Sequence, residues 1–274
     1  MELRNKALDL ATPKIMGILN ATPDSFSDGG QFNRLDAALE RIEEMVAQGA
    51  SIIDVGAEST RPGSDAVSDE EQLKRLLPII KAATSRFPYT LFSVDTTKYK
   101  VAQQMLEEGV HIINDISGLQ QEPRLAELCT QYNAAYVLMH SQGNPKVMQD
   151  NPRYENVIDD ICAFFDQQLV IADKTGLNNI MLDPGIGFGK TLEHNLTILR
   201  QLDSFKKMGY PLLVGASRKS MIGQLLNNRP VDDRLAGTIS VHYHAMAKGA
   251  DVIRVHDVKE ANDSILVYNA LSGK

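Results

Sequence analysis

Several features that would settle the class of this chain at once are missing. Only two cysteines, Cys129 and Cys162, occur in 274 residues. Their spacing suits neither a metal site nor a redox pair, and two cysteines do not make a disulfide framework. No apolar run approaches the length needed to span a bilayer, and Met1-Glu2-Leu3-Arg4 lacks the apolar stretch of a secretory signal. These absences point to a reduced, cytoplasmic setting with no membrane partner. Positive charge is in deficit too: 28 Lys and Arg against 35 Asp and Glu give a formal charge of −7, which argues against non-specific nucleic-acid binding. An anionic ligand would require the chain to gather its positive charge locally. There is no low-complexity segment or obvious linker, and no Gly-x-Gly-x-x-Gly follows the first apolar run. That last absence disfavours the doubly wound open sheet.

What is present is an alternation of short apolar runs with longer segments of helical periodicity. The runs Lys14–Leu19, Ser51–Val55, Thr90–Val94, His111–Ile113, Ala135–Met139, Asn179–Leu182, Leu212–Val214 and Asp251–Val255 read as eight buried strands. Between them, Leu35, Leu39, Ile42 and Val46 mark one helix, and Leu73, Leu76, Leu77 and Ile80 another, opened by the capping box Ser68-Asp69-Glu70-Glu71. Val157, Ile161, Phe164 and Phe165 mark a third, Leu192, Leu196 and Leu199 a fourth, and Asp257 is the expected N-cap of the last. Three units rhyme: Gly49 to Asp54, Gly109 to Asn114 and Gly249 to Arg254 each place a helix-closing glycine, a strand and a polar residue at one offset. Eight such units in this length predict a (β/α)8 TIM barrel forming a single α/β domain over residues 1–274.

In a barrel the C-terminal strand ends converge on one face, where ligands bind. Here those ends are polar on nearly every strand. They carry Asn20, Asp54 with the loop Glu58-Ser59-Thr60-Arg61-Pro62-Gly63, Asp95, Asn114, His140, Asp183, Ser217-Arg218-Lys219-Ser220, and Arg254 with His256. Any one of them alone is as well explained by capping or backbone bonding. Taken together they sort chemically. Arg61, Lys219, Arg254 and His256 offer positive charge and donors for a phosphate-like group. Asp95, Asn114 and Asp183 suit the edge of a flat, nitrogen-rich ring. The segments Asn20–Gly30 and Gly56–Ser64 read as closing loops, and Ser141 to about Pro152 is the longest polar connection.

The run Met181-Leu182-Asp183-Pro184-Gly185-Ile186-Gly187-Phe188-Gly189-Lys190 imitates a phosphate loop at its end, but proline stands at 184 where a Walker A motif requires glycine. Lys190 then reads as a helix-start residue. A Schiff-base role for Lys219, its pKa lowered by Arg218, is a minority alternative without an acid-base partner. His242 and His244 are two apart on a helix and face different ways, so they read as packed or exposed residues rather than zinc ligands. Met139-His140 fits either pocket wall or core.

The ordered motifs Met16 to Gly30, Gly56 to Gly63, Ser93-Val94-Asp95-Thr96, Asn114 to Gly118, Asp183 to Lys190, Ser217 to Ser220 and Arg254 to Asp257 resemble the dihydropteroate synthases of the folate pathway over nearly the whole chain. Ala21 and Ala216 depart from the usual valine and threonine. The resemblance implies a transferase that joins 4-aminobenzoate to the methylene of a dihydropterin diphosphate and releases diphosphate. By the same resemblance, Asp95, Asn114, Asp183 and Lys219 hold the pterin, and Asn20 ligates Mg2+ at the diphosphate. Thr60, Arg61, Arg254 and His256 bind the pterin diphosphate, the last two acting catalytically with Asp95 and Lys219. Phe26, Thr60, Pro62, Phe188 and Ser220 border the aminobenzoate, and Asp28 belongs to a closing loop. A homodimer and sensitivity to sulfonamides are implied as well. Two other readings compete: a pterin-binding methyltransferase-type barrel, and a non-catalytic pterin-binding protein.

Overall fold

The structure is a computed structural model describing residues 1–22, 31–58, 67–143 and 152–273, with the side chains of residues 31–33 also left aside. A short antiparallel hairpin comes first, β1 (Glu2–Leu3) with β2 (Lys6–Ala7). The eight expected strands follow as β3 (Lys14–Asn20), β4 (Ile52–Gly56), β5 (Leu91–Asp95), β6 (Ile112–Asp115), β7 (Ala135–Met139), β8 (Ile180–Asp183), β9 (Leu213–Val214) and β10 (Val252–Val255). They form one parallel sheet in the order β8-β7-β6-β5-β4-β3-β10-β9. A parallel bridge between Leu182 and Leu212 closes β8 onto β9, completing the barrel.

Strand alternation explains how the barrel fills. Ile15, Ile53, Phe92, Ile113, Tyr136, Leu182, Val214 and Ile253 belong to the large core between barrel and helices. Their neighbours Met16, Ile52, Leu91, Ile112, Val137, Met181, Leu213 and Val252 form a separate interior cluster. The hairpin, which sequence periodicity did not reveal, adds Leu3 and Leu8 to that cluster. It is tied below the strands by Lys6 Nζ to the Thr90 carbonyl (2.7 Å) and by the Arg4 amide to the Asn133 carbonyl (2.9 Å). One step of period two further along, the interior turns from hydrocarbon to Asp54, Ser93, Asn114, Asp183 and Arg254. The apolar floor and polar ceiling follow from one pattern read along eight strands.

The helices are α1 (Gln31–Ala47), α2 (Asp69–Arg86), α3 (Tyr99–Glu107), α4 (Arg124–Gln131), α5 (Val157–Thr175), α6 (Leu192–Arg200), α7 (Leu202–Lys206), α8 (Ser220–Leu225), α9 (Leu235–Ala247) and α10 (Val258–Ser272). None among the described residues is long and apolar enough to cross a membrane. The rhyming glycines close α1, α3 and α9 at φ +106°, +96° and +100°. In each case the next amide reaches back to an earlier carbonyl: Ala50 to Met45, Val110 to Met105, Ala250 to Ala245. Ser68 caps α2 by accepting from the Glu71 amide at 3.3 Å, while the Glu71 carboxylate accepts from Arg75 Nε at 2.8 Å. Asp257 stands at the N-cap of α10 but makes no capping bond with its side chain. Its carboxylate accepts instead from Arg218, with Nε at 3.0 Å.

Candidate active site

The polar ceiling is a connected web. Asp54, on β4, is fully buried, and its Oδ2 accepts from Arg254 Nε at 2.7 Å and from Asn114 Nδ2 at 3.0 Å. Arg254 Nη2 also donates to Asp95 Oδ2 at 3.2 Å. Burial disfavours the guanidinium charge, but Asp54 and Asp95 more than offset this and leave the Arg254 pKa raised. Burial, with the nearby charges of Asp54, Asp115 and Glu58, pushes Asp95 up to about 7 against the opposing pull of Arg254. Asp54 Oδ1 has no hydrogen-bond partner among the described residues. Sequence reasoning noted Asp54 at its strand end and gave it no role, yet it joins β4, β6 and β10. Its signal was its place in the Ile-Ile-Asp unit, two residues beyond the interior Ile52.

Asp183 ends β8. Burial raises its pKa to about 6, while the Gly185 amide at 2.7 Å and the charges of Lys219, Lys190 and Arg254 work the other way. It is therefore ionised at neutral pH, as an acceptor of two donors must be. Lys219 follows β9, the strand that closes the barrel onto β8, and its charge acts on Asp183 from that neighbouring loop. Arg218 adopts φ +57° and points its guanidinium away, to Asp257, which turns the next side chain inward. Burial lowers the Lys219 pKa to about 8, followed by Arg254, with Asp183 and Asp95 opposing. Arg218 is not among these causes, which corrects the expectation from sequence adjacency. Lys219 Nζ lies 4.0 Å from the centre of the Phe188 ring. A Cβ on Gly187, itself at φ +81°, would sit 3.2 Å from Lys219 Cδ, so this glycine clears room for the lysine.

His256 follows β10, and its amide donates to Ser217 Oγ at 3.2 Å. Its Nδ1 lies 2.9 Å from the same oxygen. A hydroxyl has one proton and two lone pairs, so beside the amide bond it can give its proton to Nδ1 or accept from Nδ1–H, and the contact suits either ring tautomer. Burial, Arg254 and Arg218 lower the His256 pKa to about 4. This favours the neutral imidazole, which still offers one ring N–H as a donor. Asn20 is exposed at the end of β3, paired in register with Gly56. Ser220 is the exposed first residue of α8. Phe26, Asp28, Thr60, Arg61 and Pro62 lie outside the described residues.

The two histidines of α9 are held in packing and backbone contacts. His242 is fully buried on α9, and its Nε2 accepts from the Ala216 amide at 3.2 Å; His244 contacts the Leu199 carbonyl at 3.0 Å. Among the described residues no three acid, histidine or cysteine groups gather as a metal site. Lys190 is the main departure. It stands just before α6, as a helix-start residue does, but it is buried, with its Nζ among His140 and Phe188 acceptors.

A family model described as "pterin binding enzyme" matches residues 16–256. The dihydropteroate synthase of Escherichia coli is 47% identical over 271 residues, covering 98% of this chain and 95% of that protein. The chain belongs to the dihydropteroate synthases. Two solved members overlay closely. The Yersinia pestis enzyme, in complex with a sulfonamide drug, superposes with a TM-score of 0.93 at 44% identity, covering 100% of this chain and 99% of that one. The Thermus thermophilus enzyme, in complex with 4-aminobenzoate, does so at 0.88 and 41%, covering 98% of each. The barrel mouth of this chain, with its buried carboxylates and cations, is thus the corresponding region of a synthase.

Proposed function

We propose that this chain joins the methylene of a dihydropterin diphosphate to the amine of 4-aminobenzoate, releasing diphosphate and giving dihydropteroate. The observation that carries the reading is the buried web in which Arg254 bridges Asp54 and Asp95, beside Asn114, Asp183 and Lys219. It provides carboxylates for a pterin edge and a fixed cation for an anion within one small space. Asp183, Asn114, Asp95 and Lys219 hold the pterin; Asp183 is ionised and accepts two donors from the amino-pyrimidinone edge. Arg254, His256, Arg61 and Thr60 bind the diphosphate. Charge grows there as the bond to the methylene breaks, so their stabilisation is greater in the transition state than before it. The methylene is then a delocalised cation, and Asp95 stabilises it electrostatically. The aminobenzoate nitrogen attacks without a strong base, between walls supplied by Phe188, Ser220, Phe26, Thr60 and Pro62, with Asp28 in the closing loop.

Asn20 would hold Mg2+. An uncharged oxygen at an exposed strand end fits a hard cation that takes most of its remaining ligands from water and substrate phosphate. When bound, the ion neutralises charge on the diphosphate. Sulfonamide inhibition, a cytoplasmic location, a single catalytic domain over residues 1–274 and a homodimer complete the reading. One sheet drawing strands from Lys14 to Val255 supports the single domain, and apolar side chains exposed on α9 and α10 support pairing. The test is diphosphate release from the dihydropterin diphosphate plus 4-aminobenzoate. Absence of release with purified protein and Mg2+ refutes the assignment.

A further inference from the structure

Lys190 has no part in the reaction just described, yet its placement is costly. Lysine is almost never fully buried without partners, and here only 3% of the residue is exposed. Its Nζ lies 2.9 Å from the Phe188 carbonyl, 3.3 Å from the His140 carbonyl and 3.0 Å from His140 Nδ1. Burial, with the Lys219 charge, lowers the Lys190 pKa to about 7 against the pull of Asp183; in its charged form the group has three protons and no acceptor, so three acceptors match it in full. His140 serves as one because burial and then the Lys190 charge hold its pKa down at about 2, leaving the ring neutral. The ring is in turn packed edge-on against Phe164 at 4.9 Å between centroids.

The acceptors belong to two different loops, which is where the geometry becomes informative. His140 follows β7, and Phe188 sits in the loop after β8. Those loops are in such close contact that a Cβ on Gly185 would meet the His140 carbonyl at 1.9 Å, and one on Gly189 the Gln142 carbonyl at 2.4 Å. Tyr154 adds a bond from its hydroxyl to the Gly189 carbonyl at 2.9 Å. Asn195 accepts from the Gly187 amide at 2.8 Å. The backbone on either side of Phe188 is thus anchored to α6 and to the segment before α5. The Phe188 carbonyl itself is held by Lys190. Its ring packs with Met139 and Ile116 on one side of the site and carries Lys219 above it.

We propose that Lys190 is a positioning residue for the second substrate: by tying the Phe188 carbonyl to His140, it sets the aromatic wall against which 4-aminobenzoate lies. This rests on the reading of Phe188 as that wall. Other charged groups near the ammonium are Asp183 at the end of β8 and Lys219 after β9, but the clamp itself is made by neutral acceptors. Its loss is therefore expected to appear at the wall before it appears at the pterin.

The test is steady-state kinetics on full-length Lys190→Met, which keeps the length of the stem and removes all three donors. The KM for 4-aminobenzoate should rise about tenfold, with kcat and the KM for dihydropterin diphosphate changing less than about threefold, a pattern that assigns the loss to one substrate's binding. Phe188→Ala is the control for the underlying reading. If it leaves the aminobenzoate KM unchanged, Phe188 is not the wall. If Phe188→Ala raises that KM and Lys190→Met does not, the positioning role alone is overturned. Equal weakening of both substrates in Lys190→Met also overturns it. Should Lys190→Met fail to fold, His140→Phe keeps an aromatic ring at this position and removes the Nδ1 acceptor, together with Nε2, while leaving the backbone carbonyl in place. A selective rise in the aminobenzoate KM, smaller than tenfold, is then expected, and an unchanged KM counts against the clamp.

Discussion

Asp54 touches neither substrate in the proposed reaction, and it illustrates how the site is held. One of its oxygens serves both Arg254 and Asn114. Removing one partner of a buried charge pair leaves the other uncompensated, at a cost of about 3 kcal/mol. Asp54→Ala should therefore lower stability by about that much in urea unfolding and reduce turnover as Arg254 loses its orientation. Asp95 acts differently. Asp95→Asn keeps the shape and removes the charge, so turnover should fall more than the affinity for the pterin diphosphate measured by calorimetry, and unchanged turnover would remove Asp95 from the mechanism. Asp183 and Lys219 set a pH window. The Asp183 pKa is raised to about 6, so its carboxylate is lost as pH falls through that value. The Lys219 pKa is lowered to about 8, so its charge is lost as pH rises through that one. Asp95, raised to about 7, loses its charge inside this window as well, so pterin diphosphate affinity should be greatest toward its upper end and decline on both sides in calorimetric titrations. Asp183→Asn should weaken affinity and leave an acid limb set by Asp95, whose pKa is raised to about 7.

At the level of elements, the strands were legible because all eight are short apolar runs, most of them ending in or followed by a polar residue, and the helices because their apolar positions repeat at helical spacing. Boundaries shifted by a residue or two where a terminal polar side chain still pairs its backbone, as Asn20 and Asp95 do. The hairpin β1–β2 was not legible, since two-residue strands show no periodicity and Leu3 and Leu8 gain meaning only inside the barrel. Caps were half legible. Ser68 does cap α2, and Ser68→Ala should cost about 1 kcal/mol in thermal or urea unfolding. Asp257 occupies the cap position but is drawn to Arg218, a charge 39 residues away, because a two-pronged ion pair is stronger than a single capping bond.

For the whole molecule, Leu266, Val267 and Leu271 on α10 are 60%, 54% and 74% exposed, and Tyr243 of α9 packs edge-on against Tyr268 of α10 at 5.9 Å between centroids. If two copies pair through this face, Val267→Asp should shift the sedimenting species from dimer to monomer with the circular dichroism spectrum unchanged. A wild-type chain that sediments as a monomer would remove the dimer from the reading. The order of strands and helices, the floor of the barrel and the polar list at its mouth were determined by the sequence alone, because alternation and helical spacing are local properties. The tertiary structure decided which of those polar groups meet and in what charge state. Asp54 and Arg254 are 200 residues apart and become partners only when the sheet closes. The neutral ring of His256, the elevated Asp95 and the lowered pKa of Lys190 all depend on burial and on neighbouring charges from other strands, and no local stretch of sequence encodes either.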